Sequence, residues 1–130
     1  MDTNVLLDIL LPNEDFVERS GKALEAAATA GSLVICELVY AELCVAFDSQ
    51  EQCDEFLSDI GIHTDPLDRP ASFLASRVWR TYREQGGTRE RILADFLIGA
   101  HAQVQASRLL TRDRGFYRKM FPSLNLLEPA

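Results

Sequence analysis

Four acidic side chains, Asp2, Glu42, Asp95 and Asp113, are the residues of this sequence best suited to chemistry. Asp2 opens the run Asp2-Thr3-Asn4-Val5-Leu6-Leu7, and Glu42 stands in Ala41-Glu42-Leu43. Asp95 belongs to Ala94-Asp95-Phe96-Leu97-Ile98-Gly99-Ala100, and Asp113 ends Thr111-Arg112-Asp113. A carboxylate followed directly by Phe96, Leu97 and Ile98 is costly unless it is paired, protonated or bound to a metal. Two carboxylates about 5 Å apart repel by roughly 3 kcal/mol at an effective dielectric of about 20, so several together call for a counter-charge. A divalent cation supplies one. An all-oxygen donor set suits Mg²⁺ or Mn²⁺, whereas zinc recruits His or Cys. Such an ion orients and deprotonates a water and stabilises charge developing on a phosphodiester. Each acid taken singly also has a plainer reading: Asp2-Thr3-Asn4 as a helix cap, Glu42 as surface, Asp113 as an Asp-Arg turn.

The elements that must carry these acids follow from the pattern of apolar residues. Asn13 is a candidate cap for a helix through Phe16, Val17, Ser20, Leu24 and Ala27 that Gly31 stops. Leu33 to Cys36 reads as a short buried parallel strand, followed by a helix from about Glu37 to Phe47. Cys53, Phe56, Leu57 and Ile60 form the apolar stripe of an acidic helix, and Ile62 to Leu67 a short strand. Pro70 suits the first turn of a helix ended by Gly86-Gly87, and Thr88 to Ala106 is a further helix. Arg108 to Thr111 reads as strand, Gly115 to Phe121 as a short helix, and Leu124 to Leu127 as a last strand. This alternation predicts a three-layer α/β domain, a central, mainly parallel sheet of about five strands flanked by helices. Ligands bind such sheets beyond the carboxyl ends of the strands, where the four acids fall.

Taken together and in order, Asp-Thr-Asn-Val-Leu-Leu, an Ala-Glu-Leu helix, Ala-Asp-Phe-Leu-Ile-Gly-Ala and Thr-x-Asp-x-x-Phe make a sequence that resembles the PIN-domain family, in particular its VapC-type toxin ribonucleases. The resemblance runs over essentially the whole chain. It implies that Asp2, Glu42, Asp95 and Asp113 are the acidic quartet, that Asp2, Asp95 and Asp113 hold the metal, and that Asn4 and Thr111 orient the carboxylates. It also implies metal-dependent hydrolysis of RNA, inhibition by a small cognate antitoxin, and a homodimer. Family members carry several apolar residues ahead of the first Asp as the central strand, whereas only Met1 precedes Asp2. The native chain is therefore expected to begin a few residues earlier.

The 130 residues suit a single domain, 1–130, and 47% apolar with 25% charged residues is ordinary globular composition. A net charge of −7 excludes a protein that coats nucleic acid by bulk charge. The charge is divided, with 15 acids and 2 bases in residues 1–68 against 5 acids and 11 bases in 69–130. Arg112 and Arg114 flank Asp113, a basic rim for substrate phosphates around an acidic centre, or else partners of the acidic first half. Arg77, Arg80 and Arg83 favour such internal pairing. Trp79, Tyr82, Phe116 and Tyr117 can stack on unpaired bases, but at helical spacing they suit the core better. His101 is six residues from Asp95, roughly 9 Å along a helix and more than about 100° away in phase, so it is no ligand. Cys36, Cys44 and Cys53 lack Cys-x-x-Cys spacing and read as buried free thiols. With no signal peptide and no apolar run of membrane length, a cytoplasmic location and no membrane partner are expected. Two other classes remain: a non-catalytic binding module on the same fold, and another carboxylate–metal phosphohydrolase. An aspartyl-phosphate enzyme wants Asp-x-Asp where this chain has Asp2-Thr3-Asn4.

Overall fold

The computed structural model describes residues 1–10, 16–87 and 93–127. Among them the chain forms α1 (Thr3–Leu10), α2 (Val17–Ala30), β1 (Leu33–Ile35), α3 (Glu37–Cys44), α4 (Gln50–Ile60) and β2 (Ile62–Thr64). There follow α5 (Arg69–Glu84), α6 (Leu93–Gln105), β3 (Leu109–Leu110), α7 (Arg114–Met120) and β4 (Leu126–Leu127). The expected cap Asn13 and the first turn of the expected 88–106 helix lie outside the described residues. Helix termini follow local chemistry. The Ser49 hydroxyl accepts from Gln52 N at 3.2 Å to start α4, and the Asp68 carboxylate accepts from Ala71 N at 2.8 Å to start α5, where Pro70 costs no hydrogen bond. Gly61 ends α4 at φ 82°, ψ 31°, a left-handed conformation that suits glycine.

The strands are parallel, as predicted, because each pair is joined by a helical crossover. β1 pairs with β2 through Leu33–Ile62 and Ile35–Thr64, and β3 with β4 through Leu109–Leu126 and Leu110–Leu127. The expected sheet of about five strands is met only loosely among the described residues. Four short strands make two pairs, and the backbone of Met1 and Asp2 lies between them. The Met1 amino group donates to Val34 O at 3.2 Å and Asp2 N to Leu110 O at 2.9 Å, giving the lateral order β2, β1, Met1–Asp2, β3, β4. Beside Met1 a cleft of about 330 Å³ separates the two pairs, lined by Leu33, Val34, Gln105, Arg108 and Leu110.

Residues after Asp2 continue as helix α1, which buries Val5 and Leu6 and carries Asn4 and Asp8 on its other faces. The core unites Val5 and Leu6 with Ile35, Val39, Leu43, Phe96, Leu109 and Phe121. Aromatic rings dominate the side where α5, α6 and α7 meet: Phe96 lies edge-on to both Trp79, at 5.0 Å between centroids, and Phe116, at 5.1 Å. The aromatics at helical spacing are thus core. Gly99 lets α6 approach this cluster, since a Cβ there would stand 2.4 Å from the Phe121 ring.

Asp8 is the one acid of α1 turned inward, 3% exposed. Its Oδ2 accepts from the Ser20 hydroxyl on α2 at 2.7 Å, and its Oδ1 accepts from Arg112 Nη2 at 2.9 Å. Arg112 Nε stands 2.7 Å from Oδ2 without an aligned N–H, and the guanidinium lies over the Phe16 ring at 4.2 Å. This clamp ties α1, α2 and the segment after β3 together. His101 is buried, with Nε2 2.8 Å from Asp65 O, and belongs to the scaffold. No helix among the described residues is long and apolar enough to cross a membrane.

Two substitutions test this packing by urea denaturation. Gly99→Ala gains about 1 kcal/mol in helix propensity but drives a methyl into a buried ring at a cost of about 1–3 kcal/mol, so a net loss of stability is expected. Arg112→Met leaves the buried Asp8 carboxylate without its cation and is expected to cost about 3 kcal/mol, much of it recovered when Asp8→Asn is added.

Candidate active site

The four acids come from four different elements and face one open cleft of about 440 Å³, lined by Asp2, Thr3, Asn4, Leu7, Glu42, Val45, Asp95 and Asp113. Asp2 directly precedes α1, Asp95 lies in the first turn of α6 and Asp113 directly precedes α7. Glu42 reaches in from the second turn of α3. Glu42 lies on the helix that follows β1 and Asp113 follows β3, which puts both beyond the carboxyl ends of those strands.

Asp2 is the buried member, 8% exposed, and its carboxylate is anchored on both oxygens. Oδ1 accepts from Thr3 N at 2.7 Å. Oδ2 accepts from the Thr111 hydroxyl at 2.8 Å, the Tyr117 hydroxyl at 3.2 Å and Asn4 Nδ2 at 3.3 Å. Thr111 Oγ1 in turn accepts from Asp113 N at 3.0 Å and Asn4 Nδ2 at 3.4 Å, while Asn4 Oδ1 accepts from Arg112 N at 3.2 Å. One hydroxyl and one amide thus lock the segment after β3 to the start of α1. On the opposite wall the Thr3 hydroxyl donates to Glu42 Oε1 at 3.0 Å.

The electrostatics record the crowding of like charge. The Glu42 carboxyl is pushed above the ordinary glutamate range, first by partial burial and then by the Asp2 and Asp95 charges, against the opposing Thr3 hydrogen bond. The Tyr117 hydroxyl is pushed strongly upward by burial, and further by Asp2, Asp95 and Asp113, so it remains a donor. Among the described residues no three His, Cys, Asp or Glu side chains close into a ready-made metal cage. The carboxylates line the walls of an open cleft instead, an arrangement that leaves room for water around a hard cation.

The sequence reading placed Asp2, Asn4, Glu42, Asp95, Thr111 and Asp113, and all six lie in or directly beneath this cleft. Arg112 sits next to it, but its guanidinium is committed to Asp8. The side chain of Arg114 lies outside the described residues. Sequence reasoning missed Thr3, which holds Glu42, and Tyr117, which reaches Asp2 from the core. Tyr117 was legible in principle: it stands four residues after Asp113 at the start of a helix, a spacing that shares one face.

Comparison with known proteins agrees with this architecture. No individually curated protein sequence matches the chain. Among solved structures, VapBC2 from Rickettsia felis bound to a promoter DNA fragment superimposes with a TM-score of 0.72 at 22% identity, covering 97% of this chain and 94% of that one. VapBC-1 from nontypeable Haemophilus influenzae gives 0.72 at 17% identity, over 98% and 94% of the two chains. A toxin–antitoxin complex from Klebsiella pneumoniae gives 0.67 at 20% identity, over 99% and 95%. At such identities the likeness is one of fold. The sequence itself matches the PIN domain over residues 1–122, and the chain therefore belongs to the PIN-domain family.

Proposed function

We propose that this protein is a Mg²⁺- or Mn²⁺-dependent endoribonuclease and the toxin of a toxin–antitoxin pair. The observation that carries the reading is the convergence of Asp2, Glu42, Asp95 and Asp113 on one open cleft of a PIN-domain scaffold. The donor set fits a hard divalent cation: it is all oxygen, the Asp2 and Asp95 charges add to the burial that raises Glu42, and Asp2 Oδ1 has an acceptor direction beyond its bond to Thr3 N. Asp2, Asp95 and Asp113 would hold the ion, with Glu42 at the rim. The ion would supply charge compensation for the scissile phosphate and acidify water.

The chain's own residues do the remaining work. Thr111, Asn4 and Tyr117 fix Asp2 in one orientation, so little rearrangement is needed when substrate arrives. Thr3 fixes one oxygen of Glu42 and leaves Oε2 as the acceptor for a proton released by the attacking water. The openness of the cleft suits a single strand or a loop better than a duplex. RNA is the substrate in this reading and a small antitoxin the inhibitor; the antitoxin is supported by the Klebsiella pneumoniae neighbour, itself a toxin–antitoxin complex. A homodimer and a cytoplasmic location belong to the same reading. The Arg112 charge offsets Asp8 and so is already committed within the protein.

Asp95→Asn is expected to fold and to lose at least about 100-fold of the metal-dependent cleavage of single-stranded RNA; a folded variant with full cleavage would refute the catalytic assignment. Glu42→Gln tests the electrostatics without metal. A carboxyl whose folded pKa is raised adds stability below its unfolded pKa and loses it as pH rises through the folded value. Metal-free Glu42→Gln should therefore melt slightly higher than the parent at pH 7, by at most a few degrees because solvent screens an exposed carboxylate, and the difference should vanish near pH 4.

A further inference from the structure

Tyr117 is 1% exposed, its ring packed 5.1 Å from Phe116 and 6.4 Å from Phe121 between centroids. A residue needed only to fill that space would serve as well as phenylalanine. Its hydroxyl instead crosses from α7 to the carboxylate of Asp2, 115 positions away in sequence. There it joins Thr111 and Asn4 on a single oxygen, Oδ2. Three donors exhaust the lone pairs of a carboxylate oxygen, whereas among the described residues Oδ1 takes only the Thr3 amide. The donors are neutral, so they hold Asp2 in place without cancelling its charge.

We infer that Tyr117 is a positioning residue of the metal site, which with Thr111 and Asn4 occupies Asp2 Oδ2 and so presents Oδ1 as the oxygen that takes the cation. The inference rests on the metal-dependent reading above. Its physical basis is the general one for buried ligands: an outer hydrogen bond selects which atom faces the ion and limits the rotation that would otherwise be frozen on binding. The hydroxyl reaches Asp2 from beneath and does not line the cleft, so it touches neither substrate nor reacting atoms.

Tyr117→Phe removes the donor and keeps the ring. Mn²⁺ alone is titrated into metal-free parent, Tyr117→Phe and Asp95→Asn proteins at a temperature where circular dichroism shows each folded, with binding read by calorimetry and by the electron paramagnetic resonance of free Mn²⁺. The expected result is about tenfold weaker binding by Tyr117→Phe, with RNA cleavage largely restored at saturating Mn²⁺. Binding within twofold of the parent, even if the variant melts lower, would mean that the hydroxyl serves stability alone and would overturn the inference. A parent protein that binds no Mn²⁺, or binds it as well as Asp95→Asn does, would overturn the metal reading itself and the inference with it.

Discussion

The fold turns on the placement of Asp2 between the two pairs of strands. Its backbone N–H is bonded to β3 and the preceding residue to β1, while its carboxylate gathers donors from α1, α7 and the segment after β3. A carboxylate so buried loses most of its hydration, and only several well-placed donors make that tolerable. The requirement explains the polar residues around it. Thr111, Asn4 and Tyr117 are buried or half-buried polar groups that an apolar core would exclude unless each had a partner.

The same segment handles its other buried charge in the opposite way. Asp8, two turns along α1, meets a guanidinium and is neutralised inside the structure. Among the described residues the hydrogen-bond donors to the Asp2 carboxylate are neutral, and it lines the cleft with Glu42, Asp95 and Asp113. Neutral donors fix orientation; a cation would also cancel charge. The net charge of −7 is thus compatible with a nucleic-acid substrate, because part of the excess is concentrated where a divalent ion would offset it.

Much of this was readable from residue types and spacing. The apolar stripe of α4, the cap and Pro70 of α5, and the glycine that ends α4 each encode local structure through a few neighbouring residues. The order of the acid-bearing motifs located the cleft, since acids beyond the ends of parallel strands converge in such folds. Strand number was less legible. Runs such as Ile62 to Leu67 carry strand propensity along their length, but pairing stops where the partner backbone stops, and β2 ends at Thr64.

The fate of the arginines and of Tyr117 shows where sequence runs out. Arg112 adjoins Asp113 in the chain and looks like a rim residue, yet its guanidinium turns to Asp8, 104 positions away. Tyr117 reads as core, and its ring is core, while its hydroxyl belongs to the site. The sequence by itself determined the family, helices α2 to α7 though not α1, and which acids would face one cleft, because these depend on local periodicity and on the order of motifs. Tertiary structure alone decided which oxygen of Asp2 is saturated, which acid is neutralised and how the strands pair. Those outcomes depend on distances between groups far apart in the chain, and a shift of about 1 Å is enough to make or break each contact.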